Sequence, residues 1–228
     1  MDKLRIDVVI PAYNEAQSVG LVVQDIPKYL VRHIVVADNN STDDTARVAR
    51  EAGAVVVAEN HQGYGAACLK GLDFLRKQEL KPDIVVFLDA DYSDHPEEMT
   101  DLIQPILDGK AELVIGSRST REKGAMMPQQ IFGNWLATSL MRVLYGAKFT
   151  DLGPFRAITW RALEEIRMQD RDFGWTVEMQ VKVLKKKIPY AEHPVKYRRR
   201  KGVSKITGTI RGTFMAGYKI ILTILRHV

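Results

Sequence analysis

Residues 82–96 read PDIVVFLDADYSDHP, an apolar run from Ile84 to Leu88 that drops directly into acid. The run is short, rich in β-branched residues and apolar on both faces, the pattern of a strand buried inside a sheet. Asp89, Asp91, Asp94, Glu97 and Glu98 then crowd together, in a chain of 228 residues whose net charge is +5. RIDVVIPAY from Arg5, HIVVADNNS from His33, AVVVAEN from Ala54 and AELVIGSR from Ala111 read as strands of the same kind. Between them lie segments with helical spacing: EAQSVGLVVQDIPKYL, STDDTARVAREAG (capped by Ser41 or Thr42 and stopped by Gly53), GYGAACLKGLDFLRKQEL and HPEEMTDLIQPILDG. Such alternation predicts an α/β fold, a Rossmann-like, mostly parallel sheet with helices on both faces. Ligands of these sheets bind beyond the carboxyl ends of the strands. Here those ends are polar: Tyr13-Asn14-Glu15, Asp38-Asn39-Asn40, Asp89-Ala90-Asp91 and Ser117-Arg118.

Composition sets wider bounds. Apolar content of 46% and charged content of 27% are those of an ordinary folded domain, and the length suits one large α/β unit. The single cysteine, Cys68, rules out an internal disulfide, fits a reducing cytosol and reads as a small core residue. Charges at Asp2, Lys3, Arg5 and Asp7 do not suit a signal peptide, and the apolar run FMAGYKIILTIL is too short to span a bilayer and carries Lys219. The expectation is a cytoplasmic protein, at most peripheral on the cytoplasmic membrane face. Basic residues gather in KYRRRKGVSK, from Lys196. One basic loop beside acids is a poor surface for tracking a phosphate backbone, so no nucleic-acid partner is expected. Lys185, Lys186 and Lys187 close a helix, where cations suit the dipole.

After residue 120 the pattern loosens. STREKGAMMPQQ reads as a mobile loop, followed by a helix from about Phe132 to Tyr145, the segment TDLGPFRAI and a helix at RALEEI. A further helix lies around WTVEMQVKVLKKK, then strand IPYAEHPVKYRRR and a C-terminal helix from about Thr207.

Asp89 and Asp91 flank Ala90, so in extended backbone their side chains share a face. Two such carboxylates repel unless a cation or hydrogen-bond donors stabilise them. Oxygen ligands suit Mg²⁺ or Mn²⁺, which keep positions open for phosphate oxygens. Asp94, Glu97 and Glu98, around Pro96, read instead as acids at a helix N-terminus. His33, His61, His95, His193 and His227 show no paired ligand spacing, so zinc is not expected. GYGAACLKG reads either as a phosphate-cradling turn or as a close-packed strand–helix turn, and Trp135, Met141 and Leu144 read as core.

In their order and spacing, VVIPAYNE, VADNNSTDDT, GYGAACLKG, LDADYSDHP, IGSR, DLGPFRA, GWTVEMQ and HPVKYRRRKGVSKI resemble the inverting GT-A (family 2) glycosyltransferases over nearly the whole chain. The nearest branch is that of the polyprenyl-phosphate (dolichyl-phosphate) sugar synthases. The resemblance implies a single GT-A domain over 1–228: a nucleotide-sugar half to 118, an acceptor half over 119–205 and an amphipathic helix over 206–228. It implies a UDP- or GDP-hexose donor, Mg²⁺ or Mn²⁺, and inversion at the anomeric carbon. By the same resemblance Pro11, Tyr13 and Glu15 line the nucleotide pocket and Asp38 holds the base. Asp89 lies on the ribose or near the metal, and Asp91 binds the metal with help from Ser93. Arg200 and Lys205 belong to a basic loop over the donor diphosphate, one residue shorter here. Arg118 matches an acceptor-phosphate contact.

The acceptor is less determined. A phosphate is already anionic and needs cationic positioning, whereas a hydroxyl needs a general base. Glu178 and Asp151 are the carboxylates that the resemblance places best for that role, Glu178 being favoured because it follows Trp175-Thr176; Asp151 would otherwise pair with Arg156. Phe132 stands where the lipid-phosphate branch offers an arginine, and Gly153-Pro154 replaces its Ser-Gly. The expected acceptor is a polyprenyl phosphate, with a glycan or glycolipid hydroxyl as the alternative. A sugar-nucleotide pyrophosphorylase shares fold class and metal demand, but VVIPAYNEAQS lacks the glycine- and lysine/arginine-rich loop with which such enzymes open. In the C-terminal helix Ile210, Phe214, Ile221 and Leu225 fall near one stripe, flanked by Arg211, Lys219 and Arg226. Such a stripe can be buried against a second subunit or against its own domain; the expectation is a self-contact, in a homodimer, with at most salt-sensitive membrane association.

Overall fold

The computed structural model describes residues 4–202 and 210–226, with the backbone alone for residues 210–216 and Tyr218. Its strands are β1 (Ile6–Ala12), β2 (His33–Asp38), β3 (Val55–Ala58), β4 (Ile84–Phe87), β5 (Leu113–Arg121), β6 (Arg156–Thr159) and β7 (Tyr190–Tyr197). They form one sheet in the order β3-β2-β1-β4-β6-β5-β7, parallel except for β6, which is antiparallel to both neighbours. From β1 the chain moves outward to β2 and β3, then returns to place β4 on the other side of β1. That reversal opens a crevice at the carboxyl ends of β1 and β4.

Alternating residues of the central strands feed two cores. Val9, Val35, Val85 and Phe87 face α3 (Tyr64–Lys77), α5 (Pro128–Tyr145), α6 (Trp160–Ile166) and α7 (Trp175–Lys185). Val8, Ile10, Val36 and Val86 face α1 (Val19–Asp25), α2 (Thr45–Glu51) and α4 (Met99–Leu107). A sheet covered on both faces is why each strand reads as continuously apolar. Cys68, on α3, is fully buried in the first core, as its composition suggests.

Several boundaries differ from the sequence reading. Helix α1 stops at Asp25, because Pro27 forces Ile26 into extended backbone. Residues 119–121, expected in a mobile loop, extend β5 beside β7. Helix α5 starts at Pro128, four residues early, with the proline at its first turn, and ends on Gly146 in the left-handed region at φ 64°. Trp135 and Leu144, expected in the core, lie on the outside of α5, whereas Met141 is buried.

The C-terminal helix α8 (Ile210–Arg226) packs on α5 and α7 of its own domain. Ile224 is buried there, the Tyr145 hydroxyl donates to its carbonyl at 2.8 Å, and Lys219 pairs with Asp172 at 2.8 Å. Leu225, expected in the buried stripe, is 53% exposed; the side chains of Ile210, Arg211 and Phe214 lie outside the described residues. Among the described residues no helix is long and apolar enough to cross a membrane.

Candidate active site

A cavity of about 280 Å³ lies beyond the carboxyl ends of β1, β2 and β4. Pro11, Tyr13 and Glu15 reach it from β1, Asn39 from β2, and Asp89 and Asp91 from β4. Gly63 and Tyr64 at the head of α3, Phe173 ahead of α7, and Arg200 add to the wall. The three strand ends all turn through left-handed residues, Asn14 (φ 53°), Asn40 (φ 63°) and Tyr92 (φ 63°). Ser41 and Thr42, expected to cap α2, instead tie two of these ends together. The Asn14 N–H donates to Ser41 Oγ at 2.9 Å, and the Thr42 N–H to Asn14 Oδ1 at 2.8 Å. Asn39 fixes the loop that carries Gly63, accepting from the Gly63 N–H at 2.8 Å and donating to the His61 carbonyl at 2.7 Å. Asp38 is half-buried beside it, with Oδ1 buried and without a partner among the described residues.

The acids converge as the strand end suggests. Asp91 Oδ1 accepts from the Ser93 N–H at 2.9 Å and the Ser93 hydroxyl at 2.5 Å, while Oδ2 lies 3.2 Å from Arg200 Nη1. Arg200 Nη2 also donates to Glu15 Oε1 at 2.6 Å, so one guanidinium bridges the acid of β1 and the acid of β4. Asp89 accepts from the Tyr64 hydroxyl at 3.1 Å, but no ion pair reaches it among the described residues. Burial, and then the neighbouring Asp91, push its carboxyl up to about 7.

Asp94 departs from the helix-terminus reading. It is 2% exposed, its Oδ2 faces the Asp89 N–H at 3.5 Å, and its Oδ1 has no partner among the described residues. Burial first, then Asp89 and Asp91, hold it well above the ordinary carboxylate range. Glu97 and Glu98 do stand at the helix start as expected, and Glu98 also accepts from the Lys196 N–H at 2.8 Å.

The raised Asp89 carries a stability signature. Unfolded, its carboxyl ionises near the ordinary 3.8; folded, it keeps its proton up to about pH 7. Over that window the folded state binds the extra proton, so stability falls as pH rises and levels off above it. Melting of the ligand-free protein should therefore occur at a lower Tm at pH 8 than at pH 5.5. In Asp89→Asn the difference should shrink and Tm at pH 8 should rise; parallel curves for the two proteins would show that Asp89 ionises normally.

On the acceptor side the structure rearranges the expected roles. Asp151 pairs with Arg118, not Arg156: Arg118 Nη2 lies 2.5 Å from Asp151 Oδ1, and Arg118 Nε and N–H donate to Oδ2 at 3.0 and 2.7 Å. Arg156 is fully buried and donates to the carbonyls of Leu152, Gly153 and Thr176. Glu178 does not line the cavity. It is 3% exposed, accepts from the backbone of Gln169 and Asp170, and pairs with Lys182 at 2.7 Å. Both carboxylates nominated as a general base are thus spoken for by structural partners. The head of α3 is no phosphate cradle either. The N–H groups of Gly65 and Ala66 donate to the carbonyls of Asp172 and Arg171, and a Cβ at Gly65 would stand 2.1 Å from the Asp170 carbonyl oxygen. The glycines serve close packing. Lys205 lies outside the described residues.

Sequence reasoning missed Asn39, Gly63, Tyr64 and Phe173 as wall residues. Asn39 had a signal in its place at a polar strand end, and Gly63 and Tyr64 in the GYGAACLKG turn; Phe173 had none. As for a metal, no group of three or more His, Cys, Asp or Glu side chains able to hold an ion occurs among the described residues. What remains is the carboxylate pair at the end of β4, Asp91 buried and Asp89 half-buried, close enough that Asp91 helps to raise Asp89. That donor set fits Mg²⁺ or Mn²⁺ bound through one or two carboxylates, with the remaining oxygens supplied by a phosphate ligand.

Comparison with known proteins agrees with this geometry. Residues 7–167 match the model of Glycosyl transferase family 2. An uncharacterized glycosyltransferase of Mycobacterium tuberculosis is 33% identical over 92% of this chain and 94% of its own length. The UDP-N-acetylglucosamine–dolichyl-phosphate N-acetylglucosaminyltransferase of Methanococcus voltae is 28% identical (98% and 96% covered), and a dolichyl-phosphate hexose transferase of Haloferax volcanii 30% (87% and 85%). In fold, the chain is similar to crystalline glucosyl-3-phosphoglycerate synthase from M. tuberculosis, in complex with Mn²⁺, UDP and phosphoglyceric acid, with TM-score 0.78 over 98% of this chain and 78% of that one at 23% identity. These likenesses set aside the pyrophosphorylase alternative. With the sheet, the crevice and a family match over most of its length in agreement, the chain belongs to glycosyl transferase family 2 and is a glycosyltransferase of GT-A fold.

Proposed function

We propose that this enzyme moves a hexose, with inversion, from a UDP- or GDP-sugar to a polyprenyl phosphate. The observation that carries the acceptor class is the engagement of Asp151 and Glu178 in buried ion pairs, while Arg118 commits only Nε and Nη2 to Asp151. Neither carboxylate is poised to deprotonate a hydroxyl. Arg118 Nη1 has no hydrogen-bond partner among the described residues and suits a phosphate oxygen. Two relatives named for dolichyl phosphate support the same choice.

In this reading the donor occupies the cavity, with Pro11 and Tyr13 of its wall around the nucleoside and Asp38, which does not line the cavity, next to the wall residue Asn39. Asp91 and Asp89 hold Mg²⁺ or Mn²⁺, and Ser93 fixes the Asp91 carboxylate. The cation, when bound, neutralises charge on the departing diphosphate. Arg200, now held by Glu15 and Asp91, supplies fixed positive charge to the same oxygens. In one domain, residues to 118 supply most of the donor half and the residues after 118 most of the acceptor half, with Arg118 and Arg200 reaching across between them.

The apolar face of α5 supports a lipid acceptor. Ile131, Phe132 and Trp135 are exposed, the two rings 5.8 Å apart, and Asn134 of the same turn anchors the loop of Asp151 through the Leu152 N–H at 2.9 Å. We place the protein in the cytoplasm, peripheral on anionic membrane through this face.

The test supplies UDP- and GDP-hexoses with MnCl₂ and, in anionic vesicles, either polyprenyl phosphate or the free polyprenol. Transfer to the phosphate alone is expected, with salt-sensitive sedimentation on the vesicles. Equal transfer to the alcohol would overturn the phosphate reading. A protein that stays in the supernatant as a dimer would assign the face to a homodimer contact.

A further inference from the structure

The arginine run is not one basic patch. Arg200 alone of Arg198, Arg199 and Arg200 lines the cavity. Arg199 donates from Nε and Nη2 to the Lys123 carbonyl and from its N–H to Glu122, on the far side of the segment. Arg198 points into the acid loop: its Nε donates to the Tyr92 carbonyl at 2.7 Å, its Nη2 to the Asp94 carbonyl at 3.0 Å and its N–H to the Ser93 carbonyl at 2.9 Å. The Lys201 N–H donates to the Asp91 carbonyl at 2.9 Å. Arg200 therefore sits between two residues stapled to the loop that follows β4.

At the centre of the staple is Tyr92. The Arg198 guanidinium carbon lies 3.4 Å from its ring centroid and Lys201 Nζ 5.2 Å from it. Its hydroxyl donates to Asp25 Oδ2, on α1, at 2.5 Å. Its backbone is left-handed, as at Asn14 and Asn40. Asparagine tolerates that region through local hydrogen bonds; a bulky aromatic residue there is strained, and strain of this kind persists where the surroundings hold it. What holds Tyr92 is the Arg198 hydrogen bond to its carbonyl, together with the pair of cations over its ring and the carboxylate at its tip.

We infer that Tyr92 is a positioning residue, which holds the Arg198–Lys201 segment in the register that puts Arg200 onto Glu15 and Asp91. The ring does so as a cation–π platform; the Asp25 hydrogen bond sets its angle. The consequence for donor binding rests on the proposed function, but the register itself does not.

Two measurements separate those statements. In the ligand-free full-length protein, limited trypsin digestion reads how often the segment opens, because it offers Arg198, Arg199, Arg200 and Lys201 as cleavage sites. Tyr92→Leu should raise cleavage there about tenfold, the scale of a partly desolvated cation–π contact, with the melting temperature nearly unchanged. Tyr92→Phe keeps the ring and should restore most of the protection. Unchanged cleavage in Tyr92→Leu, or equal loss in Tyr92→Phe, would overturn the platform. The second measurement is calorimetric titration with UDP and with GDP in MnCl₂. Arg200→Ala should weaken the better-bound nucleotide about tenfold to a hundredfold, and Tyr92→Leu should add little in that background if it acts through Arg200. Fully additive losses would overturn the link to Arg200. If neither nucleotide binds the wild type, the donor reading fails while the digestion still decides the register.

Discussion

Asp91→Asn is expected to lower turnover by about 10³-fold or more while leaving the fold intact, the scale of losing one preorganised stabiliser of transition-state charge together with its metal ligand. The substitution is nearly isosteric. An amide oxygen can still accept from the Ser93 N–H and hydroxyl, so the loop after β4 keeps its shape. What disappears is a charge that faces Arg200 at 3.2 Å and that pushes up the Asp89 carboxyl. Asp89 should then ionise closer to the ordinary range, and the fall in stability between about pH 4 and 7 should weaken in the variant. Two readouts thus move together from one change: turnover with saturating UDP- or GDP-sugar and MnCl₂ collapses, and the pH dependence of melting flattens. Near-normal turnover in the variant, or in the wild type under excess chelator, would remove Asp91 from the metal role.

The parts of the fold legible in the sequence are those that a buried parallel sheet imposes on its own residues. β1, β2 and β4 need apolar side chains on both faces and polar ones where they emerge, so the crevice was marked by where the apolar runs stop. Tertiary partners are another matter. Asp94 resembled any acid ahead of a helix, and its burial comes from distant chain: it bridges to Tyr197, and Arg198 binds its carbonyl. Nothing local distinguishes Arg198, Arg199 and Arg200, whose different tasks are set by which carbonyl or carboxylate each meets. For Glu178 a local clue existed. Lys182 stands one turn on, at the spacing of a helix ion pair, and the structure makes that pair at 2.7 Å. The start of α5 was likewise marked by Pro128, a residue suited to a first helical turn. The acceptor side was hardest to read because its carboxylates have structural uses that only the folded chain reveals.

That difficulty has a direct experimental form at Asp151. Its side chain is 8% exposed and that of its partner Arg118 11%, and removing one member of a buried pair strands the other. Asp151→Ala should therefore cost about 3–5 kcal/mol of stability, which for a chain of this size lowers Tm by roughly 10 °C. A general base would behave oppositely, losing turnover with stability nearly intact. The two roles separate further in the double variant Arg118→Met with Asp151→Leu. Replacing a buried ion pair by apolar side chains is often close to neutral, so the double variant should melt well above Asp151→Ala. Recovery of the fold should not bring recovery of the acceptor, because the guanidinium proposed to meet its phosphate is gone. The expected result is a folded enzyme that binds nucleotide normally and whose KM for polyprenyl phosphate rises strongly. If the double variant instead keeps that KM and loses only kcat, Asp151 is the chemical participant and the acceptor is activated by a base. If Asp151→Ala melts like the wild type, the pair is not what holds the 150–152 loop, and Glu192, which accepts from the Thr150 and Asp151 N–H groups, carries that task with Asn134 and Gln180.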